Sequence, residues 1–138
     1  MSLDAKAEQT LRQWHEMVAA RDLSRVASLC APQVVFRSPV AFAPYQGAEP
    51  VAAFLQQAMR VLGDFRYHRS FSDGHRSVVL EFSARVGDKE LKGIDMIRFD
   101  EAGRIEDFEV MVRPASGLQA LGAEMARRMG PILAGMKG

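Results

Sequence analysis

Apolar residues recur at intervals of three and four positions in the first part of the chain, which is the spacing of an amphipathic helix. A first helix is predicted over residues 7–18, where one stripe is apolar. A shorter helix is predicted to follow, capped by Asp22 and stopped by Pro32. A strand over residues 34–38 and a loop over residues 39–47, which contains several helix and strand breakers, come next.

Two further helical patterns lie in the middle of the chain and at its C-terminal end. Pro50 suits the first turn of a helix, and Gly63 is expected to cap its end. Ser116 and Gln119 form a capping-box pattern ahead of the last helix. Pro131 is expected to kink or end that helix, because proline removes a backbone hydrogen bond.

The segment between these two helices alternates apolar and polar residues, which is the period of a strand with one buried face. Turn signals at residues 73–74, 87–88 and 100–103 divide it into four antiparallel strands. Helices followed by strands predict an α+β fold, with three helices in the N-terminal half and one at the C-terminal end. We expect a single domain over residues 1–138, in which a curved antiparallel or mixed sheet wraps around a pocket. The strands are predicted over residues 65–71, 78–86, 90–99 and 104–113.

Charge and composition exclude several classes of function. The 138 residues include 18 Lys and Arg against 17 Asp and Glu, interspersed along the chain, so no nucleic-acid partner is expected. No apolar run approaches the ~20 residues of a membrane span. Asp4 and Glu8 lie where a signal peptide would be apolar, and the single Cys30 cannot form an internal disulfide. We therefore expect no membrane partner and a cytoplasmic location.

Motifs for common cofactors are absent from the sequence. There is no glycine-rich phosphate loop followed by Lys and Ser or Thr, and no dinucleotide-binding glycine pattern after a strand. No cluster of Cys and His has the spacing of a metal site. We predict neither a cofactor nor a metal.

One acidic residue interrupts the apolar row of a predicted strand. Leu91, Gly93, Asp95, Ile97 and Phe99 share one side by alternation. A carboxylate in such a row is costly unless it is paired or protonated, and a buried carboxyl has a raised pKa. Such a group suits acid–base catalysis or donation of a hydrogen bond. The alternative is that the opposite side of the strand faces inward, which would leave this carboxylate in water.

Three segments of the chain resemble the bacterial ketosteroid isomerases, which are nuclear-transport-factor-2-like, or SnoaL-like, cone-shaped proteins. They are WHEMVAARDLSRVASLCAPQVVFRSP, the loop SPVAFAPYQG with the helix after it, and IDMIRFDEAGRI. The resemblance covers most of residues 14–113. It implies a curved sheet closed by helices around an apolar pocket.

The resemblance also assigns roles to single residues. The family's oxyanion-hole aspartic acid, which is held neutral so that it can donate a hydrogen bond, corresponds to Asp95. Its oxyanion-hole tyrosine corresponds to Trp14, whose indole can donate but not titrate. Its catalytic base corresponds to Ser38, before Pro39, and an unactivated hydroxyl is not a base. We therefore expect the polarising half of the site without steroid isomerase activity of the usual kind, with Ser38 as a positioning hydroxyl.

Other side chains are candidates for the walls of the pocket. His15 lies beside Trp14 on the flank of its stripe, and His68 alternates with Tyr67, so which of these side chains face the pocket stays open. The predicted aromatic wall residues are Phe36, Phe54, Phe82 and Phe99.

These observations predict a pocket for a small hydrophobic molecule that bears a carbonyl group, steroid-like or polyketide-like. Proton-transfer chemistry of the isomerase, cyclase or dehydratase type is one expectation. A carrier or sensor that has lost the base, or a dimeric protein-interaction module with a filled core, are the alternatives.

The sequence leaves open the roles of the terminal helix and of the outer face of the sheet. The terminal helix carries Met125, Met129 and Met136, which suit a lid over the cavity, a place in the core or a dimer interface. The outer face of the sheet is expected to carry Val79, Ile94 and Met96, or their opposites, and residual apolar surface there favours a homodimer.

Overall fold

Three α-helices and a six-stranded sheet form the protein, as seen in a computed structural model that describes residues 2–137. Four antiparallel strands follow one another after the second helix, as the alternation predicts. The predicted α+β class is confirmed. In chain order the elements are α1 (Ala5–Ala19), a 3-10 helix (Val26–Leu29), β1 (Cys30–Arg37), β2 (Tyr45–Gln46), α2 (Ala48–Val61), β3 (Gly63–Ser72), β4 (Ser77–Val86), β5 (Lys89–Phe99), β6 (Ile105–Arg113) and α3 (Ala115–Lys137).

The sheet is mixed, with β5 near its centre. The strand order is β2-β1-β6-β5-β4-β3. Neighbouring strands from β3 to β6 are antiparallel, whereas β1 is parallel to β6. Asp95 on β5 is therefore flanked by Leu80 on β4 and Val110 on β6. Its side chain lies in the middle of the sheet rather than at an edge.

The helices pack against the inner face of this sheet through aromatic contacts. Trp14 of α1 meets Phe108 of β6 edge-on, with ring centroids 5.3 Å apart. The ring centroids of Phe54 on α2 and Phe36 on β1 are 4.5 Å apart. Helix α3 contacts α2 and strands β4 to β6. The core and the cavity described below therefore lie between the helices and the sheet.

The second predicted helix is wrong in extent and type. It is a single 3-10 turn, and Asp22 instead accepts a hydrogen bond from the Ser24 backbone N–H at 3.0 Å in the turn before it. Pro32 does not stop the helix but lies exposed within β1. Sheet pairing is the cause, because β1 is already paired with β6 from Cys30 onward.

Helix α2 ends before Gly63, which is the first residue of β3 and not a cap. The C-terminal end of α2 is capped instead by Arg21, which lies two residues after the end of α1. Its guanidinium donates hydrogen bonds to the carbonyls of Met59 at 2.7 Å and Leu62 at 3.1 Å. A cation on the last carbonyls of a helix also interacts favourably with the helix dipole.

The last helix differs from its prediction at both ends. It begins at Ala115, so Ser116 lies in its first turn rather than at its cap, and it continues past Pro131. Met129 before the proline is buried, and Leu133 after it packs on the same core. Packing on both sides explains why the proline does not end the helix.

Candidate functional site

The inner row of β5 places a carboxyl group inside the protein, as its alternation predicts. Leu91, Gly93, Asp95, Ile97 and Phe99 are all buried, and only 5% of Asp95 is exposed. Gly93 leaves no room for a side chain, because a Cβ there would lie 2.4 Å from the Met111 carbonyl oxygen. Because Asp95 is buried, the alternative in which its carboxyl faces water is wrong.

Three side chains from three elements form a chain of hydrogen bonds. Trp14 Nε1 on α1 donates to Tyr67 Oη on β3 at 2.9 Å. Tyr67 Oη in turn donates to Asp95 Oδ2 on β5 at 2.5 Å. The second carboxyl oxygen, Oδ1, has no hydrogen-bond partner among residues 2–137. The site thus holds one carboxyl oxygen firmly and leaves the other for a further partner.

Burial governs the protonation of this group. It raises the pKa of Asp95 to about 7, and the hydrogen bond from Tyr67 opposes the rise only in part. Burial, together with the neighbouring carboxylate, raises the pKa of Tyr67 well above its usual value, so Tyr67 remains a neutral phenol. Near neutral pH, Asp95 therefore exists in both its acid and its carboxylate forms, and Tyr67 can donate to either.

A small, mainly apolar cavity surrounds these groups. Its volume is about 60 Å³, and all three helices contribute to its wall. Among its lining residues, only Trp14, Tyr67 and Asp95 carry polar side chains. The aromatic part of the wall comes from Phe36, Phe54, Phe65, Phe82 and Phe108.

Most of the predicted wall residues lie where the sequence analysis places them. Trp14, Phe36, Phe54 and Phe82 line the cavity. Phe99 does not, although it is fully buried. It lies four positions beyond Asp95 along β5, a distance of about 13 Å at the usual rise of a strand, and belongs to another part of the core. The indole N–H of Trp14 is already bonded to Tyr67, so it is not free for a ligand.

Ser38 and the two histidines lie outside the cavity lining. Ser38 Oγ accepts a hydrogen bond from the Val40 backbone N–H at 3.1 Å within the loop after β1. His68 is exposed and shares a hydrogen bond with Ser83 Oγ at 2.7 Å. His15 is half-buried behind the site, with its ring edge-on to Tyr67 at 5.2 Å, and this burial lowers the pKa of His15. These residues do not contact Asp95.

Sequence reasoning missed Tyr67, although it left open which of Tyr67 and His68 faces inward. A stronger signal was available, because Phe65 is two positions earlier and alternation places both aromatic rings on one side of β3. A buried carboxyl also needs a hydrogen-bond partner, and a tyrosine can supply one without adding charge.

Residues 11–108 match the profile of the SnoaL-like domain. This chain belongs to the SnoaL-like family. The structure of a steroid delta-isomerase from Pseudomonas aeruginosa is similar over nearly the whole length. The two sequences are 58% identical, the TM-score is 0.93, and the match covers 97% of this chain and 98% of that one.

Two other solved structures are similar to this chain. An uncharacterized protein with a cystatin-like fold from Silicibacter pomeroyi DSS-3 is 35% identical, with a TM-score of 0.86 and coverage of 93% of this chain and 90% of that one. An NTF2-like protein of unknown function from Mesorhizobium loti is 14% identical, with a TM-score of 0.70 and coverage of 83% and 100%, and shares the fold alone. No functionally curated protein matches the chain.

Within residues 2–137, no group of three or more His, Cys, Asp and Glu side chains is placed to hold a metal ion. No helix in the same range is long and apolar enough to cross a membrane.

Proposed function

We propose that this SnoaL-like protein binds a small, mainly apolar carbonyl compound, and that the acid form of Asp95 donates a hydrogen bond to the carbonyl oxygen. The observation that carries the proposal is the free Oδ1 of a buried carboxyl in an apolar cavity. Within residues 2–137 no fully buried side-chain oxygen or nitrogen lacks a hydrogen-bond partner, so Oδ1 keeps a small accessible surface toward the cavity, where a ligand oxygen can reach it.

The surroundings of Asp95 support a ligand with one polar group rather than several. The Tyr67 hydroxyl donates a hydrogen bond to Oδ2 of Asp95 and so orients the carboxyl plane. The Trp14 indole N–H is used in turn, because it donates to the Tyr67 hydroxyl. Only Oδ1 is left to bind a ligand atom. The remaining wall is hydrocarbon, which favours an apolar frame and disfavours a charged or sugar-like one.

Proton-transfer catalysis is a second proposal on the same site, supported by the similarity to the P. aeruginosa steroid delta-isomerase. A base would remove a proton from the carbon between a carbonyl and a C=C bond, and the C–H electron pair would form a dienolate with its negative charge on the carbonyl oxygen. Collapse of the dienolate would then bring the C=C bond into conjugation with the restored carbonyl as the far carbon is protonated by the same proton. Asp95 is the only lining residue with a pKa near neutrality, so its carboxylate form is the base of this scheme.

Binding can be tested with the protein's own fluorescence, because its single tryptophan, Trp14, lies in the cavity wall. The probes are a 3-ketosteroid and its 3-deoxy counterpart. We expect the ketone to bind more tightly, and its affinity to fall as the pH rises through about 7. In Asp95→Asn that pH dependence should disappear, whereas Asp107→Asn, on the outer face, should retain it.

Equal affinity for ketone and hydrocarbon, or an unchanged pH profile in Asp95→Asn, would contradict the proposal. Isomerisation of a 5-ene-3-ketosteroid, followed by the absorbance of the conjugated product, separates enzyme from carrier. Turnover that is lost in Asp95→Asn supports catalysis, and binding without turnover supports a carrier. Absence of any ligand binding supports a protein-interaction module.

We also propose that two copies of the chain associate through the outer face of the sheet. Two apolar cross-strand pairs, Val79 with Met96 and Ile94 with Met111, lie side by side there. Met96 is 37% exposed and Met111 is 48% exposed. Apolar surface of this kind usually marks an interface.

Ion pairs on both sides of this apolar patch suit a second copy of the same chain. Arg37 pairs with Asp107 on one side of the patch, and Arg69 pairs with Glu81 on the other. In a twofold dimer the same surface of each copy meets the other, so a patch that carries both signs of charge can pair with itself. Ile94→Asp should shift the sedimentation equilibrium to monomer, while Phe42→Asp on the exposed loop should not. A wild-type monomer at high protein concentration would contradict this proposal.

A further inference from the structure

We infer that the ligand of the Asp95 cavity is elongated, with its carbonyl head beside Asp95 and an apolar tail in a groove between α3 and the loop of residues 39–44. This inference rests on the proposed function, because it names the class of ligand for that same site.

The cavity around Asp95 is too small to enclose a whole ligand. It measures about 60 Å³. An engineered apolar cavity of about 150 Å³ holds a benzene molecule, and ligand pockets usually measure about 300–1,000 Å³. The space beside Asp95 therefore fits a carbonyl group and its nearest carbons, so the rest of the ligand must lie elsewhere.

The groove beside this cavity has the missing volume. It measures about 690 Å³ and is bounded by the loop on one side and by α3 on the other. Small residues on α3, namely Gly122, Ala126 and Gly130, create its width because they recur once per turn on one face. Its surface is mostly apolar, with Met125 and Met129 in its floor. Methionine side chains adapt to tails of different shape.

The cavity and the groove share two wall residues, Pro39 and Phe54. The ring centroid of Phe54 lies 4.5 Å from that of Phe36, which lines the cavity. It lies 5.2 Å from the ring centroid of Tyr45, which lines the groove. A continuous aromatic row thus leads from one space to the other. A rotation of the Phe54 side chain or a shift of Pro39 would join them.

The loop is the more exposed side of this arrangement. Phe42 at its tip is fully exposed, and Val40 is 42% exposed although its Cγ1 would lie 3.0 Å from a Cβ added at Gly122. Apolar side chains at a groove edge gain from covering an apolar tail. A ligand that reaches out of the cavity would provide that contact.

Isothermal titration with 2-butanone, 2-heptanone and 2-decanone tests the inference. Each buried methylene should lower Kd about fourfold in the wild type. Ala126→Phe fills the groove from an exposed helix position, so it should raise the Kd of 2-decanone about tenfold or more and leave 2-butanone unchanged. The matched control is Ala134→Phe, an exposed alanine of α3 outside the groove lining, which should change neither ketone.

The possible results separate this inference from the proposed function. If Ala126→Phe leaves 2-decanone binding intact, the tail lies elsewhere and the inference is overturned, while carbonyl binding stands. If the wild type binds the 3-ketosteroid but none of these ketones, the inference is overturned while carbonyl binding stands. If it binds neither, the proposed function fails and the inference fails with it. If Ala126→Phe instead dissociates a wild-type dimer in sedimentation, the groove holds a second copy of the chain and the inference is overturned.

Discussion

Tyr67 on β3 and Asp95 on β5 are joined by a 2.5 Å hydrogen bond, although β4 lies between their strands. Neighbouring strands are about 4.8 Å apart, so the two backbones are separated by about twice that distance. The phenol spans this gap on the inner face of the sheet. The contact places a neutral donor on a buried carboxyl without adding a countercharge.

Tyr67→Phe should raise the pKa of Asp95 above about 7, because the hydrogen bond from Tyr67 is what lowers it. It should also leave the Trp14 N–H without an acceptor and destabilise the fold by about 1–3 kcal/mol. Carbon-detected NMR titration of the Asp95 carboxyl measures the pKa, and urea unfolding measures the stability. Tyr45→Phe, whose hydroxyl is remote from Asp95, is the control. An unchanged Asp95 titration would rule out Tyr67 as the partner.

Stability should fall as the pH rises from about 4 to about 7, owing to Asp95. Its folded-state pKa is about 7 against an ordinary 3.8, so the folded state holds a proton that the unfolded state has released. The raised pKa stabilises the protein fully below about pH 4, and the effect is gone above about 7. Its full size is on the order of 4 kcal/mol.

Urea unfolding of the wild type and Asp95→Asn across this pH range isolates the effect. Burial lowers the pKa of His15, but His15 is common to both proteins. Arg69 and then Lys92 lower the pKa of Glu81 to about 2, and the stability this adds is complete only above the ordinary pKa of 4.5, but Glu81 too is common to both proteins. Parallel stability curves for the two proteins would show that Asp95 titrates normally.

Gly93→Ala should destabilise the protein by about 1–3 kcal/mol, because the added methyl group overpacks the core. Its Cβ would lie 2.4 Å from the Met111 carbonyl oxygen and 2.7 Å from Phe82 Cζ. The matched control is Gly135→Ala on α3, where a Cβ meets nothing within 4 Å and no proline follows. That change should stabilise the helix by about 0.5–1 kcal/mol. Thermal or urea unfolding of both variants tests the contrast, which equal effects would contradict.

Arg21→Ala should cost about 1–2 kcal/mol, because two carbonyls at the end of α2 lose their donor. Arg25→Ala is the control, since Arg25 is also exposed but does not contact α2 through its side chain within residues 2–137. Urea unfolding provides the measurement. If both variants lose the same stability, the effect is one of general charge and not of capping.

The amino-acid sequence by itself determined the order of the three α-helices, β1 and the four later strands, and the inward position of Asp95, but not β2, which lies within the predicted loop of residues 39–47. Both follow from local periodicity, since a residue's side of a strand depends only on its neighbours in the chain. The apolar neighbours of Asp95 then imply a raised pKa. The same reasoning failed at Pro32 and Pro131, where sheet pairing and core packing override the local preference of proline.

Only the tertiary structure decided what Asp95 contacts and how large its cavity is. The bond from Tyr67 depends on how three strands lie side by side and curve, which no short stretch of sequence encodes. The displacement of Ser38 and Phe99 from the cavity depends on loop path and on distance along a strand. Contacts between residues far apart in the chain depend on the packing of whole elements, and that packing also sets the volume left for a ligand.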